Sequence, residues 1–155
     1  GKSCGLKFVI CRLGTIFGVS VGMRFHTAIN KFCWQACLGE PITVWRTALE
    51  QKRPYLDLSD AVRLIKFVIK IRLFDGKIYN AATQNLTVKE IIKIIRKYIK
   101  NAKFTYVDAK VMNQLSFGAL NSRITEKGFY FNGNLDRRVK ETVDLLRNSG
   151  VFYVK

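Results

Sequence analysis

One arginine, Arg53, stands beside acidic and aromatic residues in the segment RPYLDLSD, residues 53–60. A guanidinium group presents several N–H donors in one plane, so it can bind two oxygens of a phosphate or carboxylate at once. Arg53 and Asp57 are four residues apart on a predicted strand and therefore share a face, where they could pair. The residues alone leave two interpretations open: a surface ion pair with Asp57, or an arginine directed at an anionic ligand.

Four cysteines and the single histidine are the other candidates for chemistry: Cys4, Cys11, Cys33, Cys37 and His26. Cys33 and Cys37 are four residues apart on a probable helix, whereas a zinc ribbon needs CxxC pairs on tight turns. We therefore expect no metal site, and reduced, buried thiols of a cytoplasmic protein.

The net charge of +16 has two competing explanations. The chain could bind nucleic acid, because lysine and arginine displace counterions from phosphates. It could instead bind a small anionic ligand, or be one part of something larger. A basic stripe on the third predicted helix fits either a solvated face or a nucleic-acid footprint, and no aromatic stacking platform accompanies it. The stripe consists of Lys89, Lys93, Arg96, Lys97 and Lys100.

Strands alternate with helices along the sequence, which predicts the α/β class. The predicted strands are 7–13, 42–45, 53–58, 77–81 and 104–107. The predicted helices are 25–38, 61–71, 88–100 and 135–148. Ser59 or Asp60 is placed to cap the second helix, Thr87 with Glu90 forms a capping box for the third, and Asn134 caps the fourth.

The 155 residues correspond to one domain, and no apolar run approaches the roughly 20 residues that span a bilayer. The strands at 7–13 and 77–81 have the apolar character of interior strands, but two strands do not make a covered parallel sheet. The helix at 61–71 is apolar almost all round, so we expect it to be sandwiched between layers. The chain therefore has the pattern of part of a larger sheet.

Five segments, in this order and spacing, resemble the C-terminal half of an extended short-chain dehydrogenase/reductase, in the family of NAD-dependent nucleotide-sugar epimerases and dehydratases. They are RLGTIFG (12–18), GMRFHTAINKF (22–32), RPYLDLSDA (53–61), KIYNAAT (77–83) and MNQLSF (112–117). The resemblance implies a single partial domain. Residues 1–20 and 61–100 would supply the last strands and helices of a Rossmann sheet, and residues 21–60 and 101–155 a small mixed α/β substrate-binding lobe.

The resemblance also implies NAD as the cofactor of the complete enzyme. The glycine-rich GxxGxxG turn that would hold it does not occur in this sequence, and the catalytic YxxxK would lie upstream of the strand at 7–13. Tyr106 and Lys110 match YxxxK in spacing only, because they follow a predicted strand instead of lying on a helix; we expect Tyr106 to be a packed strand residue.

The implied function is therefore the nucleotide-sugar-binding portion of an epimerase or dehydratase that acts on a UDP- or dTDP-sugar. Alone, the chain would bind no cofactor and be inactive. Its expected partner is the missing N-terminal Rossmann half or a second copy of the chain. A small basic nucleic-acid-binding protein is the alternative.

The resemblance assigns the candidate site residues. By its match Arg53 is the arginine that contacts the diphosphate of the nucleotide-sugar, and Trp45 either stacks on the base or belongs to the core. Thr15 stands where many members have Asn and could bind a sugar hydroxyl, while Phe17 replaces a Tyr. Asp60 fits a helix cap better than an acid or base.

Five further residues are assigned more loosely. Arg24, His26 and Asn30 open the helix that lines the cleft, and His26 is a minor candidate for a sugar contact. Lys110 and Asn113 fall where related epimerases place an Arg on phosphate and an Asp on ribose, so the substitutions leave the nucleotide open.

Overall fold

The computed structural model describes residues 4–108 and 116–149. The strands in these residues are β1 (Ile10–Leu13), β2 (Thr15–Phe17), β3 (Ile42–Trp45), β4 (Lys52–Asp57), β5 (Ile78–Ala81), β6 (Gln84–Thr87) and β7 (Phe104–Val107). The helices are α1 (Ala28–Cys37), α2 (Leu58–Lys70), α3 (Val88–Tyr98), α4 (Ser122–Thr125) and α5 (Leu135–Asn148), with a short 3₁₀ helix at Arg46–Ala48.

The described strands pair mostly in parallel. β1 pairs with β5, with Ile10 opposite Ile78, and β3 pairs with β7. β4 is the central strand of the third sheet, parallel to β2 on one side and antiparallel to β6 on the other. The predicted α/β class is confirmed, and the strands at 42–45 and 104–107 have the predicted bounds.

Two strands, β2 and β6, were not predicted. β2 lies in the stretch expected to be a glycine-punctuated loop, and β6 precedes the third helix. Both are short, with three and four residues, so neither shows the alternation by which a strand is recognised. Their pairing with β4 places Arg53 in the middle of a three-stranded sheet, with Leu86 of β6 as its partner in register.

Two cores hold the described residues together. The first lies among α1, α3, α5 and β3, around Ile29, Val44, Ile91 and Val139. The second lies between α2 and β5, with Leu64 and Tyr79 fully or almost fully buried. Helix α2 and strand β5 pack in the second core, whereas α3 packs in the first.

The starts of α3 and α5 agree with the predicted caps. Thr87 and Glu90 form the capping box, each accepting a hydrogen bond from the other's backbone N–H, and the side chain of Asn134 accepts one from Arg137. The expected cap of α2 by Ser59 or Asp60 is wrong. Asp57 is the cap: its backbone is extended, and its side chain accepts from the Ser59 N–H.

The outward face of α2 is apolar and exposed, so the expectation of a sandwiched helix is wrong for the described chain. Val62, Ile65 and Ile69 are 44%, 52% and 60% exposed and lie along one stripe of the helix. On β1, Ile10 and Leu13 are 43% and 40% exposed. One side of α2 packs on the second core, and the described residues leave the other side uncovered.

No disulfide joins the four cysteines, all of which lie in the described residues. Cys33 is buried, Cys11 and Cys37 are partly buried and Cys4 is exposed, so the expected burial holds fully for Cys33 alone. Burial raises the pKa of Cys37 to about 11, with the charge of Arg147 opposing it, so this thiol is protonated at neutral pH. None of the helices in residues 4–108 and 116–149 has the length and apolar character that crossing a membrane requires.

Candidate functional site

Three cavities adjoin around β4. The Trp45 cavity, of about 220 Å³, has among its lining residues His26, Lys31, Trp45, Arg53 and Tyr55. The Phe117 cavity, of about 390 Å³, has among its lining residues Arg12, Thr15, Arg53, Asn80 and Phe117. The Asn30 cavity, of about 490 Å³, has among its lining residues Thr15, Arg24, His26, Thr27 and Asn30.

The three cavities share residues pairwise. His26 lines the Trp45 and Asn30 cavities, Arg53 lines the Trp45 and Phe117 cavities, and Thr15 lines the Phe117 and Asn30 cavities. They therefore adjoin one another and are together called the depression, and the two larger ones have the volume of small-molecule sites. Arg53 and Thr15 stand at the boundaries between neighbouring cavities.

The walls of this depression are cationic. Arg12, Arg24, Lys31 and Arg53 line it, and no Asp or Glu is among the described residues that line any of the three cavities. A cleft with charge of one sign concentrates ligands of the opposite sign. The depression is therefore suited to an anionic ligand.

Arg53 is half-buried on β4, with its guanidinium carbon 4.8 Å from the centroid of the Phe117 ring. Its charge lies close enough to Tyr55 to offset part of the effect of burial, which raises the pKa of that hydroxyl. The alternative pairing with Asp57 is not formed as a salt bridge, because Asp57 binds Arg138 at 3.0 Å. This distance is that of a cation–π contact between the guanidinium and the ring.

Asp57 is fully buried and takes part in several hydrogen bonds at the end of β4. Its carboxylate accepts from the Arg138 guanidinium at 3.0 Å, from the Ser59 N–H and hydroxyl at 2.8 Å, and from the Asn134 N–H at 3.3 Å. Burial disfavours the charged form, but the hydrogen bonds from Arg138 and Ser59 outweigh it, and the pKa of Asp57 is lowered.

Asp60 is the second fully buried carboxylate. It accepts hydrogen bonds from the Thr83 hydroxyl at 2.7 Å, the Asn132 N–H at 3.1 Å and the Gly133 N–H at 2.9 Å, and it pairs with Arg63 at 2.7 Å. Its role is therefore to hold the loop before α5 against α2, which differs from the expected helix cap.

The predicted site residues come together in the described chain. Six of them, Thr15, Arg24, His26, Asn30, Trp45 and Arg53, line the three cavities. Lys110 and Asn113 lie outside the described residues. Trp45 is 45% exposed at the end of β3, so it is not a core residue.

Tyr106 is less packed than expected. It lies on β7 but is 46% exposed, with the Arg46 guanidinium carbon 5.6 Å from the centroid of its ring. Its match to YxxxK in spacing involves Lys110, which lies outside the described residues.

Arg12, Lys31, Tyr55 and Phe117 line the depression and were not predicted. All four lie inside the segments that carry the family resemblance, so the signal was present in the sequence. What the sequence could not give is the pairing of β4 with β2, which brings these segments to one place.

A family model supplies the decisive comparison: the model of the NAD dependent epimerase/dehydratase family matches residues 1–82. The chain belongs to this family. A curated relative, the chloroplastic UDP-sulfoquinovose synthase of Spinacia oleracea, is 33% identical over 75 residues, which are 47% of this chain and 15% of the relative.

Solved structures of epimerases share the fold. UDP-glucuronic acid 4-epimerase of Bacillus cereus, in complex with UDP-glucuronic acid and NAD, superimposes with a TM-score of 0.83 at 18% identity, covering 94% of this chain and 47% of that one. UDP-glucose 4-epimerase of Thermus thermophilus, in complex with NAD, gives a TM-score of 0.75 at 19% identity, covering 96% and 49%. The family member described here spans about half the length of these structures.

A dinucleotide pyrophosphate binds to free N–H groups at the start of a helix. The starts of α2, α3 and α5 do not fit, because Asp57, Thr87 with Glu90, and Asn134 already fill them. At α2 and α3 the filling groups include carboxylates, which would repel a phosphate. Helix α1 differs, since no side chain caps its first residue.

Proposed function

We propose that this chain is the nucleotide-sugar-binding portion of an NAD-dependent epimerase or dehydratase acting on a UDP- or dTDP-sugar, and that it is inactive alone. One observation carries the proposal: four cationic side chains and no carboxylate among the described residues line three adjoining cavities around β4. Such a surface complements a ligand that is anionic and larger than one cavity.

Arg53 is the proposed diphosphate ligand. It stands between the Trp45 and Phe117 cavities, so a diphosphate placed there has the nucleoside on one side and the sugar on the other. The planar guanidinium can donate to two phosphate oxygens at once. Since Phe117 contacts the guanidinium from one side, the orientation of these donors is partly fixed before the ligand arrives.

The roles proposed for Trp45 and Thr15 depend on the cavities that these residues line. Trp45 is half exposed in a cavity with Phe32 and Val88, which suits stacking on a pyrimidine base. Thr15 offers a hydroxyl to the sugar at the boundary with the Asn30 cavity. Lys110 and Asn113 stay proposed contacts to phosphate and ribose.

The names of the similar proteins support UDP-sugars as the first ligands to test, since a UDP-sulfoquinovose synthase and a UDP-glucuronic acid 4-epimerase are among them. NAD bound in two of the similar structures supports a nicotinamide cofactor in the complete enzyme. That cofactor supplies hydride transfer; the residues of this chain bind and orient the nucleotide-sugar beside it.

Isothermal titration of UDP-glucose into the chain tests the proposal. We expect binding that weakens by about 10- to 100-fold in Arg53→Ala, because hydrogen bonds to a charged group are lost. Arg137→Ala is the matched control, since Arg137 also carries one positive charge but lines none of the three cavities.

Titrations with duplex and single-stranded oligonucleotides at two salt concentrations complete the experiment. Oligonucleotide binding that falls steeply with salt, without any UDP-glucose binding, would favour the nucleic-acid-binding alternative and overturn the proposal. Equal losses in Arg53→Ala and Arg137→Ala would show that only the net charge matters.

A further inference from the structure

Asn30 carries a buried acceptor that no described residue satisfies. The side chain is 4% exposed and lines the Asn30 cavity. Its Nδ2 group donates to the backbone oxygen of Arg24 at 3.1 Å, which fixes the orientation of the amide, because the opposite orientation would bring two oxygens together. Oδ1 has no partner among the described residues. Such an atom calls for a donor that the described residues do not supply, either an ordered water or a group of a ligand.

Thr27 adds a second unsatisfied group to the same cavity. Its Oγ1 is buried without a hydrogen-bond partner among the described residues, although Thr27 stands at the N-cap of α1. A threonine in this position usually caps the helix with its hydroxyl, but here it does not. The first turn of α1 contains no acidic residue either. The first N–H groups of α1 therefore receive no side-chain cap, unlike those of α2, α3 and α5.

The charge around the Asn30 cavity is positive. The start of α1 carries the positive end of the helix dipole, and Arg24 lines the cavity while forming no salt bridge with a described residue. No carboxylate is among the described residues that line it. An acidic group of a ligand is thus favoured beside Arg24 and the start of α1. A hydroxyl group of the ligand can donate to Asn30 Oδ1.

We propose that the Asn30 cavity binds the sugar ring of an acidic nucleotide-sugar, such as a hexuronic acid, with a ring hydroxyl donating to Asn30 Oδ1 and the acidic substituent at Arg24 and the start of α1. The inference rests on the proposed function and narrows its substrate class. Both groups occur on one hexuronic acid ring, whereas a neutral hexose supplies only the hydroxyl. Thr15 lines both this cavity and the neighbouring Phe117 cavity, which Arg53 also lines.

Titration of UDP, UDP-glucose and UDP-glucuronic acid into the same chain tests the inference. We expect UDP-glucuronic acid to bind about tenfold more tightly than UDP-glucose, as one additional charge-assisted hydrogen bond provides. In Arg24→Gln this ratio should fall to about one, and in Arg137→Gln, which removes the same charge outside the three cavities, it should stay unchanged.

A second variant keeps the test independent of Arg24. Thr27→Asp gives α1 a favourable N-cap and is expected to leave the thermal transition at or above that of the parent chain. Its carboxylate occupies the helix start, so it should remove the preference for UDP-glucuronic acid.

The outcomes separate the two proposals. Equal binding of UDP-glucose and UDP-glucuronic acid, or a preference that survives both variants, would refute the acidic-sugar subsite and leave the proposed function standing. Absence of binding by UDP and both sugars would overturn the proposed function, and this inference with it.

Discussion

Carboxylates are scarce in this chain, with 11 Asp and Glu against 27 Lys and Arg, and two of them are fully buried at one junction. Asp57 and Asp60 bind the loop before α5, the start of α2 and Arg138. Because these acids face inward, neither carboxylate lines the three cavities around β4. The two buried carboxylates therefore stabilise the fold without adding negative charge to the cavity walls.

Replacement of Asp57 by Asn should lower the free energy of unfolding by about 2–3 kcal/mol at neutral pH, since it removes the charge opposite Arg138 and weakens the cap of α2. Urea unfolding followed by circular dichroism measures this change. Asp144→Asn is the control: that carboxylate pairs with Lys140 across one helix turn and is 49% exposed, so the loss should stay below about 0.5 kcal/mol.

The effect of Asp57→Asn on stability should depend on pH. The folded-state pKa of Asp57 is lowered, so its ionised form stabilises the fold at pH values above the ordinary carboxyl pKa of about 4. This contribution is lost as the pH falls through the lowered value. The stability difference between the parent chain and Asp57→Asn should therefore shrink below about pH 4. A difference that stays constant from pH 7 to 3 would contradict the assigned role.

A side-chain interaction was predictable from the sequence where both partners lie in one short segment. The caps Thr87 with Glu90 and Asn134 are of this kind. The sequence left a pairing of Asp57 with Arg53 open as an alternative, because the partner that Asp57 has in the structure, Arg138, is 81 residues away. The residue pattern along one strand cannot predict a contact with a residue so far away in the sequence.

At the scale of elements, the junction between β1 and β2 depends on a close approach of backbones. Gly14 separates the two strands, and its N–H donates to the Ala81 carbonyl at 2.8 Å. A Cβ atom at Gly14 would lie 2.9 Å from the carbonyl oxygen of Pro54 and 3.2 Å from the carbonyl carbon of Tyr55. Both contacts are with the backbone of β4, which cannot move aside as a side chain would.

Gly14→Ala should therefore destabilise the fold by about 1–3 kcal/mol, the usual cost of forcing extra volume into a packed site. Gly22→Ala is a matched control in the same segment, because a Cβ there meets nothing within 4 Å. Thermal unfolding of the two variants measures the difference. Equal stability would show that β2 and β4 separate easily, and the junction would then not hold Arg53 and Thr15 in place.

The elements that the sequence predicted best are the amphipathic helices and the β-branched strands. The helix at 25–38 was predicted three residues too early, because Phe25 and the residues after it continue the apolar spacing before the helix begins at Ala28. β2 and β6 were missed since their existence depends on pairing with β4, which is a tertiary fact. The same pairing brings the candidate residues together, so six of the lining residues were named from the sequence, whereas Arg12, Lys31, Tyr55 and Phe117 were not.

At the scale of the whole molecule, an apolar surface is left uncovered. Val62, Ile65 and Ile69 on α2 are exposed, as are Ile10 and Leu13 on β1. An exposed area of a few hundred Å² costs several kcal/mol at about 25 cal/mol per Å². We propose that a partner covers it, either the other half of an epimerase fold or a second copy of this chain.

Sedimentation velocity at micromolar concentration tests this proposal on the 155-residue chain. We expect species larger than a monomer, because contiguous apolar patches of this kind associate in water. Ile65→Lys combined with Ile69→Lys should shift the distribution to the monomer. Val21→Lys with Leu120→Lys adds the same charge at two other exposed apolar residues, 111% and 80% exposed, and should leave the association unchanged. A monomeric parent chain with a sharp thermal transition would mean that α2 needs no cover and that the fold is stable with its apolar stripe in water.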